Sequence, residues 1–129
     1  KVQELTPGGS MSIETSLDMA LGKADILSGN LASHHGSLPN PESKITLDHT
    51  LFPEVLGLAG HIKVEDVKKG EMLMLSINTT ISGGAVESIN KNKITVHLKI
   101  PAIFFKGDNI GIARNIAGHW RLIGYGEVC

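Results

Sequence analysis

A chain of 129 residues, 41% apolar and 19% charged, has room for one domain and a piece of a second, and is too ordinary in composition for a disordered tail. Its net charge of −1 excludes a uniformly cationic or anionic chain. No run reaches the roughly 18 apolar residues a membrane helix needs, because Leu51–Ala59 and Ile100–Phe105 are broken by Pro53, Glu54 and Pro101.

The opening Lys1-Val2-Gln3-Glu4-Leu5-Thr6 has neither a methionine nor an apolar targeting core, so further sequence is expected upstream. Two short strand-like pieces follow, Gly9 to Thr15 and Ala24 to Leu31. They are too little for a domain of their own and leave open sheet edges unless docked. Ser16 to Ala24 approaches a helical period but is too short to stand as a helix. The stretch 32–41 holds two prolines, a glycine and no apolar periodicity, and reads as a linker.

Beyond it, Lys44 to Leu51 alternates apolar and polar residues, the pattern of a strand with one dry face. Val64 to Lys69 has a near-helical period, again too short to stand alone. Glu71 to Ile77 is a compact apolar run, expected to be a strand buried on both faces. Ser82-Gly83-Gly84 and Asn90-Lys91-Asn92 read as turns. Lys93 to Ile100 is the clearest strand, strictly alternating and rich in β-branched residues. Asn109 to Ile116 and His119 to Val128 complete the set, linked by Lys106-Gly107-Asp108-Asn109 and Ala117-Gly118-His119. Lys69-Gly70-Glu71 and Lys106-Gly107-Asp108 repeat one turn chemistry, a glycine reversing the chain beside a capping acid. Short strands at turn-punctuated spacing make an all-β closed barrel or sandwich.

The chemistry-bearing residues do not assemble into a reaction site. Pro7-Gly8-Gly9-Ser10 is glycine-rich but lacks the lysine and the following helix that cradle phosphates. Gly-x-Ser-x-Gly does not occur, and Cys129, the only cysteine, sits at the terminus. A single cysteine allows neither an internal disulfide nor a cysteine zinc cluster, and fits a reduced setting. His34 and His35 lie in the linker with no ligand spacing around them and read as solvated, so no metal is expected. Trp120, beside Arg121 and near Tyr125, is expected in the core as a large apolar group rather than on a base-stacking platform.

Charge is uneven along the chain. Residues 1–90 carry six lysines against eleven carboxylates, whereas residues 91–129 carry four lysines and two arginines against Asp108 and Glu127. Lys91, Lys93, His97, Lys99, Lys106, Arg114 and Arg121 are therefore the candidate contact residues for an acidic protein or for RNA phosphates. Lys93, His97 and Lys99 alternate along one strand and share one face, which makes them the sharper part of that expectation. A solvated lysine face with no partner is the plainer alternative.

His119-Trp120-Arg121-Leu122-Ile123-Gly124-Tyr125-Gly126 resembles the terminal strand signature of the gamma subunit of archaeal and eukaryotic translation initiation factor 2. Further matches fall in order: Pro7-Gly8-Gly9, Thr15-x-Leu17-Asp18, Leu21-x-Lys23-Ala24-Asp25, Gly29 and Leu38-Pro39. Past the linker come Leu56-Gly57, Glu71-Met72-Leu73-Met74-Leu75-x-Ile77, Gly83-Gly84 and Gly107-Asp108-x-Ile110-x-Ile112-Ala113-Arg114. The chain departs from the family pattern at Met11-Ser12-Ile13-Glu14 and at Arg114-Asn115.

The resemblance implies an elongation factor Tu-like architecture, in which a GTP-binding domain precedes two β-barrels. Residues 1–37 would then be the last strands of domain II, and 38–129 a Greek-key barrel, domain III. It implies a non-catalytic part of a GTPase subunit, with GTP and magnesium held by a domain not represented here and no cofactor in this stretch. The implied partners are the alpha and beta subunits, initiator methionyl-tRNA, the small ribosomal subunit and an ATP-grasp assembly chaperone, in the cytoplasm and with no membrane. Two rivals remain: the corresponding barrel of another translational GTPase such as a selenocysteine-specific elongation factor, and a small-molecule carrier, since an eight-stranded barrel can hold one apolar ligand. Met72 to Leu75 reads as packing for a filled barrel instead.

Overall fold

Period-two hydrophobicity becomes six strands: β1 (Glu42–Leu51), β2 (Met72–Ile77), β3 (Thr80–Asn90), β4 (Lys93–Ala102), β5 (Asn109–Ile116) and β6 (His119–Val128). The computed structural model describes Glu4 and residues 6–57 and 60–129. The expectation drawn from the first six residues thus falls largely outside the described residues, as do Leu58 and Ala59.

The strands close into one antiparallel barrel in the order β1, β4, β3, β2, β5, β6, with β6 returning to β1. Three consecutive hairpin strands, β2 to β4, stand beside β1, which reaches them through the long connection 52–71; that is a Greek key. Closure leaves no free edge among these six strands. Bulges interrupt the ladder between Val86 and Ser88 and between Ile112 and Ala113, where extra residues let the sheet curl.

The inward side chains fill the barrel. Ile45, Leu47, Leu73, Leu75, Ile77, Val86, Ile94, Val96, Leu98, Ile110, Ile112 and Ile123 are each less than 2% exposed or close to it. Val55, Val64 and Val67, from the 52–71 connection, join this core and cap one end. Burying aliphatic groups of this size stabilises by roughly 1.5–3 kcal/mol each, which is the main force holding the sheet closed.

Four expectations are corrected by the structure. Gly9–Thr15 and Ala24–Leu31 form no strand; residues 24–29 turn, with Ala24 and Asp25 at φ 54° and 56°. A strand needs a ladder partner, and the six barrel strands pair only with one another, so none is offered. The segment instead touches the β2–β3 hairpin, where the Thr80 hydroxyl donates to the Gly29 carbonyl at 2.7 Å.

Ser82-Gly83-Gly84 is strand rather than turn. A Cβ on Gly84 would lie 2.5 Å from Val96 Cγ1 and 2.9 Å from the His97 carbonyl oxygen, so glycine there permits close strand approach. The reversal falls at Asn78, whose φ of 50° suits a residue tolerant of the left-handed region. β2 is buried on one face only, with Leu73, Leu75 and Ile77 inward and Met72 and Ser76 exposed, because an antiparallel barrel has a wet outside. Trp120 is 42% exposed, since its position pairs with Asn115 on the outer side of the β5–β6 hairpin.

Candidate functional site

Along β4, Ile94, Val96 and Leu98 point into the barrel, which turns Lys93, Thr95, His97 and Lys99 outward in a row. Pairing with β1 sets Lys44 opposite His97, Thr46 opposite Thr95 and Asp48 opposite Lys93. The Thr46 and Thr95 hydroxyls are hydrogen-bonded at 3.1 Å, which fixes the middle of the row.

The charges are not equivalent. Lys44 Nζ is ion-paired with Glu87 at 2.9 Å. The Lys44 hydrogen bond, and then its charge, hold the Glu87 carboxyl below the usual carboxylate range, with His97 and Lys69 adding to the effect. Lys93 has Asp48 in register beside it. Lys99 lies beside Gly83 of β3: its Cδ is 3.8 Å from where a Cβ of Gly83 would stand.

Lys91 occupies the β3–β4 turn at φ 53°, and with Asp48, Asn90, Asn92 and Lys93 it lines a shallow surface depression. Lys106, from the β4–β5 turn, meets Lys93 across a second depression that also contains Asp48, Thr50, Tyr125 and Glu127. Five of the seven candidate residues, Lys91, Lys93, His97, Lys99 and Lys106, thus belong to β4 and the turns at its ends.

Arg114 and Arg121 are not brought to that surface. The Arg114 side chain is 16% exposed and ion-paired with Glu71. Its Nη1 donates to the Glu65 carbonyl at 2.9 Å and its Nη2 to that of Asp66 at 3.2 Å. Arg121 pairs in register with Arg114 and runs toward Gly57, with its Nε buried and without a hydrogen-bond acceptor among the described residues. Both serve the end of the barrel capped by the 52–71 connection. Lys44 is the residue the sequence reading missed: it lies in the acidic part of the chain, and only the β1–β4 register reveals that it stands beside His97.

The other chemistry-bearing residues are dispersed. His34 and His35 are exposed in a turn, and among the described residues no three His, Cys, Asp or Glu side chains gather as metal ligands. Gly8 and Gly9 have φ of 108° and 117°, and no helix follows them, so this run does not offer the helix N-terminus that a phosphate-binding loop requires. No helix among the described residues is long and apolar enough to cross a membrane. What the β4 row offers chemically is spaced cations on a rigid sheet, suited to carboxylates or phosphates.

Comparison with known proteins agrees with this architecture. The chain is 40% identical over 128 residues to "Translation initiation factor 2 subunit gamma" of Aeropyrum pernix and, to the same extent, to that of Methanothermobacter thermautotrophicus; each match covers 99% of this chain and 31% of the relative. The Archaeoglobus fulgidus protein of the same description is 40% identical over 127 residues, covering 98% of this chain and 30% of that protein. The chain therefore spans less than a third of the length of these relatives. Residues 43–128, which coincide with the six-stranded barrel, match the family described as "Initiation factor eIF2 gamma, C terminal". The chain belongs to that family, as the C-terminal part of a translation initiation factor 2 gamma subunit.

Proposed function

We propose that this chain is the non-catalytic end of the gamma subunit, a rigid barrel that holds a cationic row toward the factor's acidic partners. The observation that carries this reading is the coincidence of the family match, 43–128, with a barrel that turns Lys93, Thr95, His97 and Lys99 outward in one regular row. A closed sheet fixes the spacing of those cations, so that a partner meets them in one arrangement and with little ordering entropy to lose.

In this reading residues 1–37 belong to the preceding domain II, and the whole protein joins alpha and beta subunits and delivers initiator methionyl-tRNA to the small ribosomal subunit in the cytoplasm. GTP and magnesium act in the part of the gamma subunit that this chain does not span. In the same reading the barrel is the docking site of an ATP-grasp assembly chaperone. The filled interior of twelve aliphatic side chains supports the scaffold over the small-molecule carrier.

The test is a charge reversal in the full-length gamma subunit, Lys93→Glu with His97→Glu and Lys99→Glu. Affinities are measured separately for the alpha subunit, the assembly chaperone and the small ribosomal subunit. A loss of at least tenfold toward one of them, with GTP binding unchanged, supports the row as the contact. Unchanged affinity for all three removes it.

A further inference from the structure

Residues 32–41 read as a linker from sequence, yet the chain around them is seated on one end of the barrel. From residue 6 to residue 44, Gly29, Leu31 and Leu38 are half-buried and all the others are exposed. These three meet one surface, made by the β2–β3 turn and by the 103–108 connection between β4 and β5. A free tether would have no reason to shelter them and leave the residues between them in water.

The grip begins at Gly29. The Thr80 hydroxyl donates to its carbonyl at 2.7 Å, and the Thr79 hydroxyl donates to that of Asn30 at 3.4 Å. A Cβ on Gly29 would stand 3.3 Å from the Thr79 carbonyl oxygen, and its φ of 80° is one that side chains rarely adopt, so glycine lets the chain lie this close. Turns lead up to this point, from the Leu21 amide on the Asp18 carbonyl at 3.0 Å to the Asn30 amide on the Leu27 carbonyl at 3.3 Å.

Past Leu31 the chain doubles back. The Ser37 amide donates to the His34 carbonyl at 3.1 Å, across a turn in which Gly36 has a φ of 78°. The reversal brings Leu31 and Leu38 to the same groove, which Asn78, Thr79, Phe105 and Asp108 also line. That groove is braced from below. Asn78 Nδ2 donates to the Ile103 carbonyl at 3.2 Å and to Asp108 Oδ2 at 3.1 Å, and the same Oδ2 accepts the Phe105 amide at 2.9 Å. The β2–β3 turn is thereby cross-linked to the 103–108 connection, so the surface under the two leucines is fixed.

We propose that residues 29–38 are a clasp: Thr79 and Thr80 latch the chain at Asn30 and Gly29, Leu31 and Leu38 seat in the braced groove, and the residues before Gly29 leave the barrel in one fixed direction. The clasp uses none of the β4 cations, and it stands or falls independently of the proposed role in initiation. A tether of the same length without the latch would let the preceding chain leave in many directions. With the latch, whatever precedes Gly29 and whatever binds the barrel are presented in one relative arrangement, which lowers the ordering entropy of any contact that uses both.

The test uses the 129-residue chain, whose barrel closes on its own core. Backbone nitrogen-15 relaxation reads the order of residues 29–38. Spin labels read the direction of the preceding segment: Lys23→Cys supplies one site, and Cys129, exposed and bonded through its amide to the Thr46 carbonyl, supplies the other. In the parent chain residues 29–38 should be as ordered as the barrel strands, and the distance distribution between the labels should be narrow. The double variant Thr79→Val with Thr80→Val should loosen residues 29–38 and widen the distribution about twofold, while relaxation in β2 and β3 stays unchanged. Gly29→Ala and Leu38→Ser lie outside the barrel strands and should have the same effect with the melting temperature of the barrel unaltered, so the proposal remains testable if the threonine pair proves necessary for folding. Residues 29–38 as mobile in the parent as in a free tether, or a distribution already as wide as in the variants, overturns the proposal. So does a segment that stays equally ordered in Gly29→Ala, Leu38→Ser and the threonine double variant.

Discussion

Arg114 on β5 and Glu71 at the entrance to β2 form a fork-to-fork ion pair, in which Nη2 reaches Oε2 at 3.1 Å while Nε bonds Oε1. The same guanidinium donates to the carbonyls of Glu65 and Asp66, so one side chain ties the end of the 52–71 connection to the barrel wall. Both partners are mostly buried, at 16% and 17% exposed, and the pair is therefore little screened by solvent.

Removing one partner leaves the other charge desolvated and unpaired. Arg114→Met and Glu71→Gln should each cost about 3 kcal/mol in urea unfolding. The double variant Arg114→Met with Glu71→Gln should cost clearly less than the sum. Additive losses would mean that the two groups act separately.

Ser82 is fully buried, and its hydroxyl donates to the Ile100 carbonyl at 2.8 Å and accepts from the Ile100 amide at 3.0 Å. It supplies both hydrogen bonds of the Ile100 backbone, next to Pro101, which has no amide hydrogen to donate. Ser82→Ala removes the partner of both the Ile100 amide and its carbonyl and should cost about 1–3 kcal/mol. Amide hydrogen exchange at Ile100 should quicken, and an unchanged rate would contradict this role.

Two adjacent glycines should answer the same substitution differently. Gly84→Ala forces a Cβ against Val96 and the His97 carbonyl and should destabilise by about 1–3 kcal/mol, whereas Gly83→Ala should be neutral or stabilising. Thermal melts of the two variants side by side check the difference. A Gly83→Ala variant as unstable as Gly84→Ala would show that the outer glycine is structural after all.

Glu87 gives a pH dependence of defined sign. Its carboxyl titrates below the ordinary range chiefly because of Lys44, so the pair's contribution is present above the unfolded carboxylate pKa and is lost as pH falls through the lower folded value. Carboxyl-carbon NMR should show Glu87 titrating below a free glutamate, and Lys44→Met should raise its midpoint. The exposed pair should leave neutral-pH stability nearly unchanged.

Much of the barrel was legible because a strand with one wet face declares itself every second residue. Lys93 to Ile100 and Asn109 to Ile116 are strands as their alternation implies. β3 was hidden because its inward positions hold Ser82 and Gly84, which carry no hydrophobic signal. Glycine there reads as a turn residue from sequence, whereas Gly84 lets β4 come close. Trp120 was misplaced for a related reason: size favours burial on average, but alternation in β6 puts Ile123 inside and Trp120 outside.

By itself the sequence determined the secondary structure class, most strand positions, the family resemblance and the asymmetry of charge, because local periodicity and residue order are one-dimensional properties. Only the tertiary structure decided which charges are neighbours. Register set Lys44 beside His97 and left Lys99 with glycine as its β3 neighbour, and barrel closure turned Arg114 from a candidate contact into an internal strut. Those outcomes depend on pairing between residues far apart in the chain, and no local pattern encodes which strand lies next to which.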